Sequence, residues 1–364
     1  MQKIPCKMIA LVASILVTQA HADPHYTVYG TLDLGVWSQT KTAGSTPRES
    51  AGSLTSINTG GISPSVFGLR GEESLDANLK LGLNLETHLD PSVGSSGLGA
   101  FWSRAANLAL SGSWGAVAVG QQIDPAVLGY AATDPRGLRE SLAGTQPWAM
   151  SSSQNIGPGT ASPNNTLAFF SSNSISYTGT VDALTFGGLY AFGEVAGNSK
   201  ANRVMSGRLL YSGAVTFSSS FHQSNWADSD HASDRKASLG VSTMAGTVSL
   251  RANYLHTKAF SQDGALTGDW EVVGLGAEAP ISDKTSSNIS VYFGRSKIDG
   301  QGSNKATSVI GSVEQQLSKR TTLYAQAAWI NAGDAADGVV SVLGSQPVKG
   351  ANTQVLNVGI RHRF

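Results

Sequence analysis

Residues 78–90 read NLKLGLNLETHLD. In an extended chain, Leu79, Leu81, Leu83, Leu85 and Leu89 fall on one side, and Lys80, Asn84, Glu86, His88 and Asp90 fall on the other. The cause is the alternation of successive side chains between the two faces of a strand. The stretch is therefore a strand with one oily side and one ionic side.

The two-residue period runs the length of the chain. Val28, Leu32, Leu34 and Val36 alternate with Thr27, Tyr29, Thr31 and Asp33. Val248, Leu250, Ala252 and Tyr254 alternate with Ser249, Arg251 and Asn253, and Leu323, Ala325, Ala327 and Trp329 with Thr322, Tyr324 and Gln326. The closing stretch LNVGIRHRF sets Leu356, Val358, Ile360, His362 and Phe364 against Asn357, Arg361 and Arg363. Soluble antiparallel sheets alternate too, so the period leaves the solvent open. The connections are more informative. Short links at Gly112-Ser113, Ser212 to Ala214 and Ala245-Gly246 alternate with long polar segments at Gln39 to Ile62, Asn225 to Arg235 and Ala332 to Asn352.

Segments of roughly ten residues number sixteen along this pattern. Sixteen strands with tight turns at one end and long loops at the other predict an all-β fold, a 16-stranded antiparallel transmembrane β-barrel. Closure lets every backbone donor and acceptor find a neighbour, which lipid requires. The competing architecture is a soluble β-rich adhesin or solenoid. A polar face on every strand would give such a protein a poor two-sheet core.

The first residues fit export. Residues 1–22 have Lys3 and Lys7 in a basic start, an apolar run from Met8 to Val17 and the small-x-small triplet Ala20-His21-Ala22. They read as a cleaved signal peptide, with residues 23–364 as one barrel domain. The apolar run is too short to span ~30 Å of hydrocarbon as an anchor helix. Cleavage removes two lysines and Cys6, leaving 23 Lys and Arg against 25 Asp and Glu and no cysteine.

This balance removes the electrostatic case for binding nucleic acid, because no basic excess exists to neutralise phosphates. The histidines include no H-E-x-x-H pattern, so neither a metal nor a cofactor is expected. GLGAEA at Gly274–Ala279 is followed by Pro280 where a dinucleotide-binding helix would have to run. A surface lipid hydrolase would need a histidine on the lipid side, and His256 and His362 have that parity. Rim packing is the simpler reading, and the chain is not expected to be an enzyme. Tyr26, Trp37, Phe101, Trp114, Tyr177, Trp226, Trp270, Tyr292 and Trp329 lie near proposed strand ends and are expected at the headgroup level.

A terminal strand ending on Phe364 resembles the signal that the outer-membrane barrel assembly machinery recognises in Gram-negative bacteria. The match extends further. SVFGLRGEESLDANLKLGLNLE resembles the second and third strands of the general porins of β-proteobacteria, LALSGSWGAVAVGQQIDP the fourth and fifth, NSISYTG the sixth and LSKRTTLYA the turn into the fifteenth. The order and spacing of these blocks span nearly the whole mature chain.

The resemblance implies a homotrimeric general diffusion porin, embedded in outer-membrane lipids and passing ions and small hydrophilic solutes with weak anion preference. A substrate-selective channel on the same barrel is the alternative. It also implies that residues 123–165, too long for a passive link, form a third external loop folded inward as a constriction. Asp124, Asp134 and Glu140 would then supply its acidic side, with Arg136 and Arg139 among them. Charges facing across a narrow aqueous gap set a transverse field that biases ion passage. Arg70 matches the family's barrel-wall arginine; Glu86, Lys80 and Arg251 share the inward parity. Arg104 matches another family arginine, although its parity with Leu108 and Leu110 points it outward unless a bulge intervenes. Phe170 stands where the family usually carries a further arginine.

Overall fold

Sixteen antiparallel strands close into a barrel in the computed structural model, which describes residues 25–42, 52–154, 164–166, 169–333, 339–343, 345, 347–348 and 350–364. The signal peptide expected over residues 1–22 lies outside the described residues. The strands are β1 His25–Thr42, β2 in two segments Gly52–Thr59 and Val66–Asp76, β3 Leu79–Asp90, β4 Ala105–Gly112, β5 Gly115–Ile123, β6 Phe170–Val181, β7 Leu184–Ala191 and β8 Val204–Ser212. They continue as β9 Val215–Asn225, β10 Ala232–Ala245, β11 Val248–Phe260, β12 Leu266–Ser282, β13 Thr285–Ile298, β14 Gly302–Gln316, β15 Thr321–Asn331 and β16 Asn352–Arg363. Each pairs with its sequence neighbours, and β16 returns to β1 with Thr31 opposite Arg363 and Gln39 opposite Val355. No edge is left open among the described strands, as a lipid-exposed sheet demands.

The alternation of the terminal strand is now accounted for. Leu356, Val358 and Ile360 are exposed on the outer wall, while Val355 and Asn357 are buried inside. Phe364 completes the seam by exchanging backbone hydrogen bonds with Gly30, at 3.1 and 3.0 Å. Its ring lies directly over Gly30, where any side chain would collide with it.

Strand β2 is broken at residues 60–65 because the inward Asp33 captures that segment. Its carboxylate accepts from the amides of Gly61, Ile62 and Ser63 at 2.9–3.0 Å and from the Tyr324 hydroxyl at 2.6 Å. Gly60, at φ +74°, supplies the left-handed turn that starts the break.

The described part of the long segment after β5, residues 124–154, lies inside the barrel, as expected. It carries two helices, α1 Pro125–Ala131 and α2 Gln146–Gln154. Helix α1 packs on β8 to β10 and α2 on β10 to β12. Trp148 of α2 lies against Gly294, the one residue type that leaves room for its indole.

The interior differs from expectation in one respect. A barrel lumen was expected to be polar, yet Leu142 and Trp148 of the loop, Val340 and Val342 of the last loop, and inward Leu255, Trp270, Val272, Ile310, Ile330 and Val355 form a buried apolar cluster. The loop excludes water from one side of the lumen, so the wall behind it is a packed core. This corrects the aromatic assignment. Trp37, Trp270 and Tyr292 point inward into that cluster, and Trp226 is buried under its own loop, donating to the Phe260 carbonyl. Tyr26, Phe101, Trp114, Tyr177 and Trp329 are exposed.

Candidate functional site

The loop's charged residues are committed to holding it in place. Asp124 caps α1, accepting from the Ala126 amide at 2.8 Å, and Pro125 suits the first turn because it has no N–H to satisfy. The same buried carboxylate accepts from Ser206 and Ser171 and lies 2.8 Å from His222 Nδ1. Burial by itself would raise it, but His222 and these hydrogen bonds outweigh burial and hold it below the usual carboxylate range.

Asp134 is the hub of the next turn. It accepts from the amides of Arg136, Leu138 and Thr145, from the Thr145 hydroxyl and from Tyr292 on the wall. Arg136 is sealed between loop and wall, donating to the Leu142 carbonyl and to Asn288; burial pushes its guanidinium down to about 10. Arg139 is neutralised by Glu278 at 3.2 Å and Glu314 at 2.6 Å.

The expected acidic edge is thus corrected. Asp124 and Asp134 do not face the pore, because a loop laid across a barrel must satisfy its own buried backbone and the wall's charges. Glu140 instead lines a cavity between the loop and the barrel wall. It is half-buried, and burial raises its carboxyl above the ordinary carboxylate range, with nearby Arg104 opposing the shift.

Opposite stands a ladder of interlocked side chains on β1 to β6. The Arg70 guanidinium carbon lies 4.3 Å from the Tyr29 ring centroid. The Tyr29 hydroxyl donates to Glu86 at 2.8 Å, and Arg104 Nε donates to the other Glu86 oxygen at 2.6 Å. Arg104 then covers the Phe170 ring, its guanidinium carbon 5.1 Å from the centroid.

Arg104 points inward despite its parity. It occupies a bend one residue before β4, where its amide donates to the Glu86 carbonyl outside the regular ladder. Between ladder and loop lies a cavity of about 330 Å³ whose lining includes His88, Arg104, Glu140, Met150, Phe170 and Leu343.

Two candidates lie elsewhere. Lys80 sits beside the turn after Asp76, paired with Glu72 at 2.7 Å, and both are well exposed. Arg251 is in the lumen behind the loop, 3.4 Å from the Asp134 carbonyl. Arg208, an inward cation under α1, did not emerge from the sequence reading. Its opposition to Leu209 and Tyr211, both exposed on the outer wall, carries the same period that revealed the other strands.

The sequence matches the Gram-negative porin family over residues 9–335. The chain belongs to that family. The porin is 28% identical to outer membrane porin protein 32 of Delftia acidovorans, across 98% of this chain and 99% of that one. Its fold is similar to the anion-selective porin from Comamonas acidovorans, with TM-score 0.74 and 24% identity over 94% of this chain and 100% of that one. It is also similar to OmpT of Vibrio cholerae in its trimer form, with TM-score 0.66 and 13% identity over 94% and 99% of the two chains. This porin is an outer-membrane diffusion channel and not an enzyme. His256 and His362 sit near opposite ends of the outer wall, so they share no site.

Proposed function

We propose that ions and small hydrophilic solutes pass through the gap between Glu140 and the Arg70–Tyr29–Glu86–Arg104 ladder, with weak preference for anions, in a homotrimer. The observation that carries the selectivity is the unequal fate of the charges. Asp124 and Asp134 are consumed inside the loop, and Glu140 is the loop carboxylate left at the gap, while Arg104 and Arg70 stay on the wall. Pairing of Arg104 with Glu86 tempers the field, which fits weak rather than strong selectivity. The Comamonas porin described as anion-selective supports the sign, and the Vibrio porin in trimer form supports the assembly. Phe364, sealing the barrel seam against Gly30, is the residue we assign to recognition by the assembly machinery.

Planar-bilayer recording under a salt gradient tests this reading. A reversal potential of anionic sign with conductance closing in three equal steps is expected. A cationic sign would overturn the selectivity, and single-step closure the trimer.

A further inference from the structure

The cavity between the ladder and the loop has a lining that a water-filled gap does not require. Eleven of its fifteen lining residues are apolar, among them Val127 and Leu128 of α1, Leu138, Met150 of α2, Phe169 and Phe170. The rings of Phe169 and Phe170 lie 6.0 Å apart, tilted at 52°. Arg104 and Glu140 are the two opposite charges that line this mostly oily space, with His88 and Gln146 as its other polar residues.

Both charges have bonding capacity left over. Arg104 spends Nε on Glu86 and one face of its guanidinium on Phe170, and its two terminal nitrogens make no hydrogen bond among the described residues. Glu140 forms neither a hydrogen bond nor an ion pair among the described residues. A half-buried carboxylate without a donor is disfavoured in its charged form, and an arriving donor relieves that.

These features select a ligand by its chemistry. A guanidinium takes a carboxylate through paired donors, and Glu140 takes an ammonium. A simple carboxylate leaves Glu140 as a repelling charge, and a simple amine does the same to Arg104. A sugar finds too few polar partners for its hydroxyls on these walls. The volume of about 330 Å³ lies at the small end of ligand pockets, which run from about 300 to 1,000 Å³, and it suits one amino acid rather than a peptide.

We propose that the cavity is a binding subsite for α-amino acids with large apolar side chains, holding the carboxylate on Arg104, the ammonium on Glu140 and the side chain against Phe169, Phe170 and Met150. The subsite rests on the diffusion-pore reading for the route by which the solute arrives. A solute held there crosses by a saturable step, whereas ions and small polar solutes pass in proportion to their gradients.

Saturation-transfer NMR on the folded mature protein in detergent micelles tests this, with phenylalanine, 3-phenylpropionate, phenethylamine and glycine as probes. Phenylalanine is expected to bind at least tenfold more tightly than each of the other three, which lack its ammonium, its carboxylate and its apolar body in turn. Glu140→Gln should bring phenylalanine down to the affinity of 3-phenylpropionate, and Arg104→Gln to that of phenethylamine. Lys319→Gln, in the exposed turn before β15, should change nothing. A smaller advantage over any of the three probes, or a folded Glu140→Gln channel that keeps the advantage, would overturn the subsite; the probe series on wild type decides this whether or not a variant folds. Conductance and reversal potential are recorded alongside. Binding of phenylalanine without a fall in conductance would count against the ion path through the gap and leave the subsite standing, and an anionic reversal potential without binding would do the reverse.

Discussion

Arg104 holds its guanidinium carbon 5.1 Å from the centre of the Phe170 ring while its Nε lies 2.6 Å from Glu86. An arginine at position 170 would repel Arg104. The phenylalanine instead gives the guanidinium an apolar face to rest on, a contact of about 0.5–2 kcal/mol. The wall therefore holds Arg104 between a carboxylate and an apolar ring, with Arg70 as the other cation of the same ladder.

Arg104→Ala removes that charge and leaves Glu86 with the Tyr29 hydroxyl as its remaining partner. The channel should become cation-preferring, with the anion-to-cation permeability ratio falling several-fold and conductance rising as the gap widens. Reversal potentials under a salt gradient check it; an unchanged sign would remove Arg104 from the selectivity filter.

Phe170→Arg restores a cation but sets it against Arg104 in a site that was buried. We expect stronger anion preference together with lower thermal stability, by about 1–3 kcal/mol for the desolvated charge and the lost ring contact. The bilayer reports the first effect. Loss of the heat-modifiable folded band on gels reports the second.

Glu140 gives the pore a pH dependence. Its carboxyl is raised by burial, so it gains a proton at a higher pH than the ordinary carboxylate value of about 4. As pH falls through that raised value the gap loses negative charge, and anion preference should increase. The sign for stability is the same: the neutral form suits its buried site, so this contribution to docking the loop is present at low pH and is lost as pH rises through the raised value. Glu140→Gln should abolish the step and lock the low-pH selectivity in place.

Asp134→Ala should loosen the loop without opening the barrel. Three amides, the Thr145 hydroxyl and Tyr292 lose their shared acceptor. Each buried donor left unpaired costs about 1–3 kcal/mol before water enters. Larger, noisier conductance with unchanged β-sheet circular dichroism is the expected outcome. A quiet channel of wild-type size would mean that Arg139 and the apolar cluster suffice to hold the loop.

The alternation in NLKLGLNLETHLD and LNVGIRHRF determined the barrel, its strand count and its inward wall residues, because period two is a local property that lipid on one side makes compulsory. It did not determine which charges meet the solute. Asp124, Asp134 and Glu140 lie within one irregular segment that has no period. Only the path of that segment decided that the first two cap and clamp while the third faces Arg104. Arg104 itself escaped the parity rule because it stands at a bend before its strand. Leu255, Ile310 and Ile330 face inward because the docked loop turns that part of the lumen dry, and dryness depends on what packs against a wall, which no alternation along a single strand records.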